Sequence, residues 1–195
     1  KAVLKNGVTI AVLESKVSPV VQIVGAVKAG EAYEPVGKRG VSSLLAKLMN
    51  ESSTKLNRLQ MQAAQDEMGM APASMIKFES GPQWISFQAR CLSRDTGAIL
   101  NMLGAQLREP LIKDENVEQA KGQLVDRIKH VEDTVKNRVD RALLQGLIAP
   151  NTSFYPLEPQ DKARFISNLK TQDAADFHKL AVCPDATTLV FVGDI

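Results

Sequence analysis

The sequence predicts an α+β fold, and three observations carry that prediction. β-Branched or alternating runs occur early, at residues 8–12 and 20–27, and return as a pair at 74–80 and 84–91. Stretches of helical periodicity lie between and after them, over residues 41–49, 56–68, 95–107 and 114–147. A last strand-like run, Leu189-Val190-Phe191-Val192, is continuously apolar, as in a strand central to its sheet. Hairpins followed by long helices are the pattern of a segregated α+β domain.

A chain of 195 residues suits one domain, long enough to bury roughly 70% of its unfolded surface without staples. Hydrophobic residues make up 44% and charged residues 24%, which is ordinary globular usage. A net charge of +2 argues neither for nucleic acid nor for an acidic membrane. Apolar runs such as residues 17–27 are broken by Pro19, Gln22 and Gly25 and fall well short of the ~20 residues a membrane span needs.

Taken in order, Val8, Ile10 and Val12 alternate with Thr9 and Ala11 after the turn Asn6-Gly7. This run and Val20–Val27 are expected to pair. Val41, Leu44, Leu45, Leu48 and Met49 then form one apolar helix face behind the glycine loop Gly37-Lys38-Arg39-Gly40. Residues 50–54 are a polar break, and Leu56, Leu59, Met61, Ala63, Ala64 and Met68 resume the helical spacing up to Gly69. In the hairpin joined at Gly81-Pro82, Ile85, Phe87, Ala89 and Cys91 share one face, while Trp84, Ser86, Gln88 and Arg90 share the other.

Asp95 is placed to cap a helix running to Leu107, which Glu109-Pro110 stops. The stretch from Asp114 to about Leu147 carries Val117, Leu124, Ile128, Val131, Val135, Val139, Leu143 and Leu147 at helical spacing, with room for a bend inside it. Residues 150–157 are rich in turn formers, and helical spacing returns over 171–180 before Pro184-Asp185-Ala186-Thr187-Thr188 leads into the last strand.

Catalytic chemistry is sparse. Cys91 and Cys183 lie far apart and read as free thiols, offering neither a metal knuckle nor a disulfide framework. His130 and His178 fall on different predicted helices and read as surface or capping residues; Glu132 and Asp133 beside His130 offer at most a weak metal site. Ser42-Ser43 has no local base. The Gly37–Gly40 loop fits neither phosphate-binding spacing, so Lys38 and Arg39 read as solvated loop charges. Acidic and basic residues interleave around 129–140, as on a salt-bridged solvent face rather than a nucleic-acid stripe.

The run from Asn6-Gly7 through Ala29-Gly30, Glu31, Glu34 and Gly37–Gly40 resembles the opening segment of the pitrilysin/insulinase metallopeptidases, the family of the mitochondrial processing peptidase and the respiratory-chain core proteins. Residues 150–157, and the ending Leu189-Val190-Phe191-Val192-Gly193-Asp194, resemble later family segments, so the likeness spans nearly the whole chain. Active members carry H-x-x-E-H on the helix behind the glycine loop, two histidines holding zinc and a glutamate activating its water. Here the matching places hold Ser43, Ala46 and Lys47. The third ligand, a glutamate on a later helix, matches Arg127, one position from Asp126. A hydroxyl, a methyl, an ammonium and a guanidinium make no zinc site of that kind.

The resemblance implies a pitrilysin/insulinase-type roll: a mostly antiparallel sheet of five or six strands with helices packed mainly on one face. It implies one domain over residues 1–195, cut from a longer chain, with no catalytic residue or metal of its own. Zinc is expected in a partner domain, in the same chain or another subunit, opposite which this domain helps enclose and bind unfolded peptide. The alternative is a non-enzymatic scaffold subunit like the respiratory-complex core proteins. Family membership favours the bacterial periplasm or the matrix side of mitochondria. Ser43, Ala46, Lys47 and Arg127 are then vestigial site positions, with Lys47 and Arg127 placing positive charge where zinc would sit.

Overall fold

The computed structural model describes residues 1–131, 134–150 and 152–195. Among the described residues, six strands form one sheet: β1 (Ala2–Val3), β2 (Thr9–Glu14), β3 (Val20–Val27), β4 (Lys77–Ser80), β5 (Ile85–Leu92) and β6 (Thr187–Gly193). Their order across the sheet is β1-β2-β6-β3-β5-β4. The β2/β6 pairing is parallel and the other neighbours run antiparallel, so the sheet is mixed but mostly antiparallel. Among the described residues, seven α-helices accompany it: α1 (Val41–Glu51), α2 (Arg58–Glu67), α3 (Thr96–Arg108), α4 (Asp114–Val131), α5 (Val135–Leu147), α6 (Pro159–Asn168) and α7 (Thr171–Ala181). This is the α+β architecture that the periodicities predict.

Burial shows why these residues form these elements. In β5, Ile85, Phe87, Ala89 and Cys91 are buried and alternate with exposed Ser86, Gln88 and Arg90, the faces set by the period of two. Val21, Ile23 and Val27 of β3 and Phe191 of β6 share that inner face and meet Leu44, Leu45 and Leu48 of α1, Ile99 and Leu103 of α3, and Phe177 of α7 in one core. The opposite face of the sheet carries Val24 and Val192, both more than a third exposed.

Several expectations are corrected. β2 and β3 do not pair with each other, because β6 lies between them, parallel to β2 and antiparallel to β3. The most apolar run of the chain thus gains a ladder on both sides. Backbone bonds fix the arrangement where β2 turns toward β3: Ser15 donates to Gly193 at 2.8 Å and Asp194 donates to Val20 at 3.2 Å.

The 114–147 stretch is two helices, and residues 132 and 133 between them lie outside the described set. Asp95 occupies the N-cap position of α3 but its side chain makes no cap hydrogen bond. Residues 74–76 precede β4 rather than belonging to it. Helix α6 is not among the helices that the periodicity predicts, although Pro159 at its first turn is a helix-start signal. On α2, Leu59 is 78% exposed, whereas Met61 is buried.

Candidate functional site

Helix α1 is the element on which the site rests. Gly40 precedes it with φ of 89°, a left-handed conformation suited to glycine, and brings no side-chain cap. The cap comes from upstream. Glu34 accepts the backbone N–H of Gly40 at 2.9 Å, the N–H of Ser42 at 3.0 Å and the Ser42 hydroxyl at 2.6 Å. A carboxylate at a helix N-terminus also complements the macrodipole. Ser80 of β4 donates to the Ser42 hydroxyl at 2.8 Å, so one polar chain ties loop, helix and strand. Burial pushes the Glu34 carboxyl above its ordinary pKa, against the pull of its Ser42 and Gly40 donors.

The far end of α1 is fixed as firmly. The Asn50 amide donates to the carbonyls of Ala46 at 2.9 Å and Phe78 at 2.7 Å, and accepts the Phe78 N–H at 2.8 Å. Buried Gln106 of α3 donates to the Met49 carbonyl at 3.0 Å. These residues were not singled out from the sequence, because amide-to-backbone docking across 28 or 57 positions leaves no local pattern.

Between these anchors lie the three positions matched to the zinc motif. Ser43 and Lys47 are half-buried and Ala46 is 3% exposed. The Lys47 ammonium stands 3.0 Å from Oε1 of Glu51 on the next turn, close enough for an ion pair although that buried oxygen receives no hydrogen bond of good geometry. Lys47 is therefore occupied along its own helix. Helix α4 packs on α1 and buries Val117, Ala120 and Ile128, whereas Asp126 and Arg127 are exposed. The Lys121 ammonium, on the buried side of α4, donates to Glu118 at 2.7 Å and to the Leu169 carbonyl at 2.9 Å.

Loop charges read as solvated are structural instead. Lys38 pairs with Asp173 at 2.9 Å. Arg39 donates to the carbonyls of Ser153 at 2.9 Å and Tyr155 at 2.7 Å, pinning the 152–156 turn to the start of α1. Burial pushes the Asp173 carboxyl up, but the Lys38 and Lys170 interactions outweigh it and hold it below its ordinary pKa.

Among the described residues, no group of three or more His, Cys, Asp or Glu side chains could hold a metal ion. His130 is exposed, and its neighbours Glu132 and Asp133 lie outside the described residues. His178 donates from Nε2 to the Leu107 carbonyl at 2.8 Å, tying α7 to the end of α3. Cys91 is buried, which raises its thiol pKa, and Cys183 is half-buried. Trp84 is 38% exposed with the Lys28 ammonium 5.8 Å from its ring centroid, a sheet-surface contact. No described helix is long and apolar enough to cross a membrane.

Fold and site together define an α+β domain whose helix α1 is anchored at both ends by Glu34, Asn50 and Gln106. The chain belongs to the insulinase family, peptidase family M16, whose sequence model matches residues 9–159. No protein of curated function matches it. Among solved structures, the periplasmic protease PqqL from Escherichia coli superposes with a TM-score of 0.89 at 16% identity, covering 100% of this chain and 22% of that one. An inactive M16 peptidase domain from Pseudomonas fluorescens gives 0.86 at 14% identity, covering 100% of this chain and 46% of the other. A mutant of the ferredoxin protease FusC in complex with Arabidopsis ferredoxin gives 0.86 at 15%, again covering 100% of this chain and 22% of that one. The chain thus spans between about a fifth and a half of the solved relatives it matches. At such identities the likeness establishes the fold, the architecture of a domain found within larger proteins.

Proposed function

We propose that this chain is a catalytically silent insulinase-family domain that helps enclose and bind unfolded peptide opposite a zinc-bearing domain, in the same chain or a partner subunit. The observation that carries the reading is the replacement of the whole motif on an intact helix. By the family resemblance, Ser43, Ala46 and Lys47 match the ligand and base positions of the motif, on a stretch that forms α1, and Arg127 matches the third ligand, on α4. The Lys47–Glu51 pair at 3.0 Å supports the reading, since it turns a former ligand place into part of the helix's own ion pairing. Glu34, Asn50 and Gln106 keep the helix anchored at both ends although it has no metal to present. A scaffold that must still face a partner domain needs such anchoring.

Zinc content by plasma mass spectrometry and cleavage of an unstructured reporter peptide test this, on the domain alone and on the whole protein or complex from its source. The expected result is neither zinc nor cleavage in the domain and both in the whole. Stoichiometric zinc in the domain would overturn the reading; zinc and cleavage absent from both would favour the scaffold-subunit alternative. If Lys47→Glu and Arg127→Ala leave cleavage by the whole protein unchanged, positive charge at the vestigial site has no role in it.

A further inference from the structure

Helix α5 is amphipathic the wrong way round. It is the most strongly amphipathic helix of the domain, and none of its residues is buried. Asn137, Arg141 and Gln145, four apart and half-buried, form its inward face. Gln145 donates to the Pro156 carbonyl at 3.0 Å and to Glu158 at 3.0 Å, and Arg141 stands 3.3 Å from Glu158. The outward face carries Val135, Val139, Leu143 and Leu147 at 78%, 61%, 62% and 74% exposure. A surface helix ordinarily turns such a stripe to its core. Here polar anchors hold it facing away, and the stripe extends over about 20 Å at 1.5 Å per residue.

We propose that this face of α5 is a docking surface for the aliphatic side chains of a second insulinase-family domain. The proposal rests on the reading that a companion domain exists and identifies where that domain is held. Two observations favour this occupant. The solved relatives contain two to nearly five times the length covered by this chain, so this fold stands beside further chain in each of them. The stripe is also flanked by exposed charges of both signs, Lys136, Arg138 and Asp140, while Arg141 is turned inward to Glu158. An anionic membrane surface would be met by cations alone beside the stripe, without an acidic neighbour such as Asp140, and a strongly charged partner by one sign. An aliphatic protein face needs neither.

The test is photo-cross-linking in the source cells, with benzoylphenylalanine replacing Leu143 in the protein as it is naturally made and Val17, exposed in the β2–β3 loop, replaced as control. Leu143 stands in solvent on this domain, so its replacement leaves the core intact. Adducts from position 143 are expected on an insulinase-family domain outside residues 1–195, in the same chain or a partner subunit, and not from position 17. Adducts only to a second copy of residues 1–195, adducts only to lipid or unrelated protein, or no adduct would each overturn the proposal. Leu143→Glu with Val139→Glu gives a second readout: faster hydrogen exchange on the companion's facing segment, with the melting temperature of this domain unchanged. Zinc and cleavage assays on the same preparations report separately on the silent-domain reading, so either can fail while the other stands.

Discussion

Asn50 makes both backbone hydrogen bonds of Phe78, accepting its N–H at 2.8 Å and donating to its carbonyl at 2.7 Å. Phe78 lies on β4, the outermost strand beyond β5. The amide at the end of α1 therefore stands where a further strand would pair, and closes the edge at that residue. Free sheet edges invite pairing with other chains, and an extended peptide can add to one as a further strand. At Phe78 any such peptide would first have to displace Asn50.

Asn50→Ala is expected to lower stability by about 1–3 kcal/mol, because the Phe78 amide and carbonyl lose their partner in a partly buried place. Urea unfolding with an unchanged slope measures the cost, and amide exchange at Phe78 should quicken. A variant with wild-type stability and exchange would mean that water replaces the amide without loss.

Glu34 gives the domain a pH response of defined sign. Burial raises its carboxyl above the ordinary value, about 4.3 for glutamate. Between that value and the folded one, the native state holds a proton that the unfolded chain has released, so this contribution to stability falls as pH rises through the interval. Glu34→Gln removes that component. Unfolding midpoints followed from about pH 3 to 7 should decline less steeply for the variant than for the parent above the ordinary glutamate value.

Asp173 acts in the opposite direction. Its carboxyl is held below the ordinary value by Lys38 and Lys170 despite burial, so its contribution is complete above about pH 3.9 and is lost as pH falls through the lower folded value. Lys38→Met should weaken this acid-side loss and raise the Asp173 pKa. A carbon-detected NMR titration of the carboxyl in both proteins reads this directly; identical titration curves would remove Lys38 from the account.

Gly25 of β3 lies beneath the ring of Phe87: a Cβ there would fall 2.2 Å from two ring carbons and 2.8 Å from the Thr188 carbonyl oxygen. Gly25→Ala is expected to cost about 1–3 kcal/mol through overpacking. Adding Phe87→Leu should recover part of that loss, since the two positions share one contact. Thermal melting of the two single variants and the double variant decides it, and strict additivity would show that the ring is not the obstacle.

What the sequence shows plainly is what local spacing encodes. The faces of β5 and the apolar side of α1 follow from residue types at periods of two and 3.6, and burial agrees with both. The order of strands does not, because the insertion of β6 between β2 and β3 pairs residues at least 160 positions apart. Helix α6 went unseen where turn formers of 150–157 outweighed the signal of Pro159. The clearest surprise is α5, whose spacing is helical as expected but whose apolar stripe faces outward. Periodicity identifies a helix face; only packing says which way it turns.

If Ser43, Lys47 and Arg127 occupy former ligand places, restoring ligands should restore a metal. Ser43 and Lys47 are four apart on α1 and so share one face, and all three are at least partly accessible. Two imidazoles and a carboxylate are the ligand set of several catalytic zinc sites, with Zn–N distances near 2.0–2.1 Å. The triple variant Ser43→His, Lys47→His, Arg127→Glu is therefore expected to take up about one zinc per chain, read by competition with a chromogenic chelator. The variant retaining Arg127 should bind more weakly, because a fixed positive charge stays beside the cation and a ligand is missing. Ala46 is left in place, since a carboxylate introduced at a 3% exposed position would confound binding with unfolding. Lys47→Ala serves as the stability control, isolating the loss of the Glu51 pair from any effect of metal. Zinc uptake by the triple variant alone would establish the geometry of the lost site; equal uptake with and without Arg127→Glu would place the third ligand elsewhere on α4.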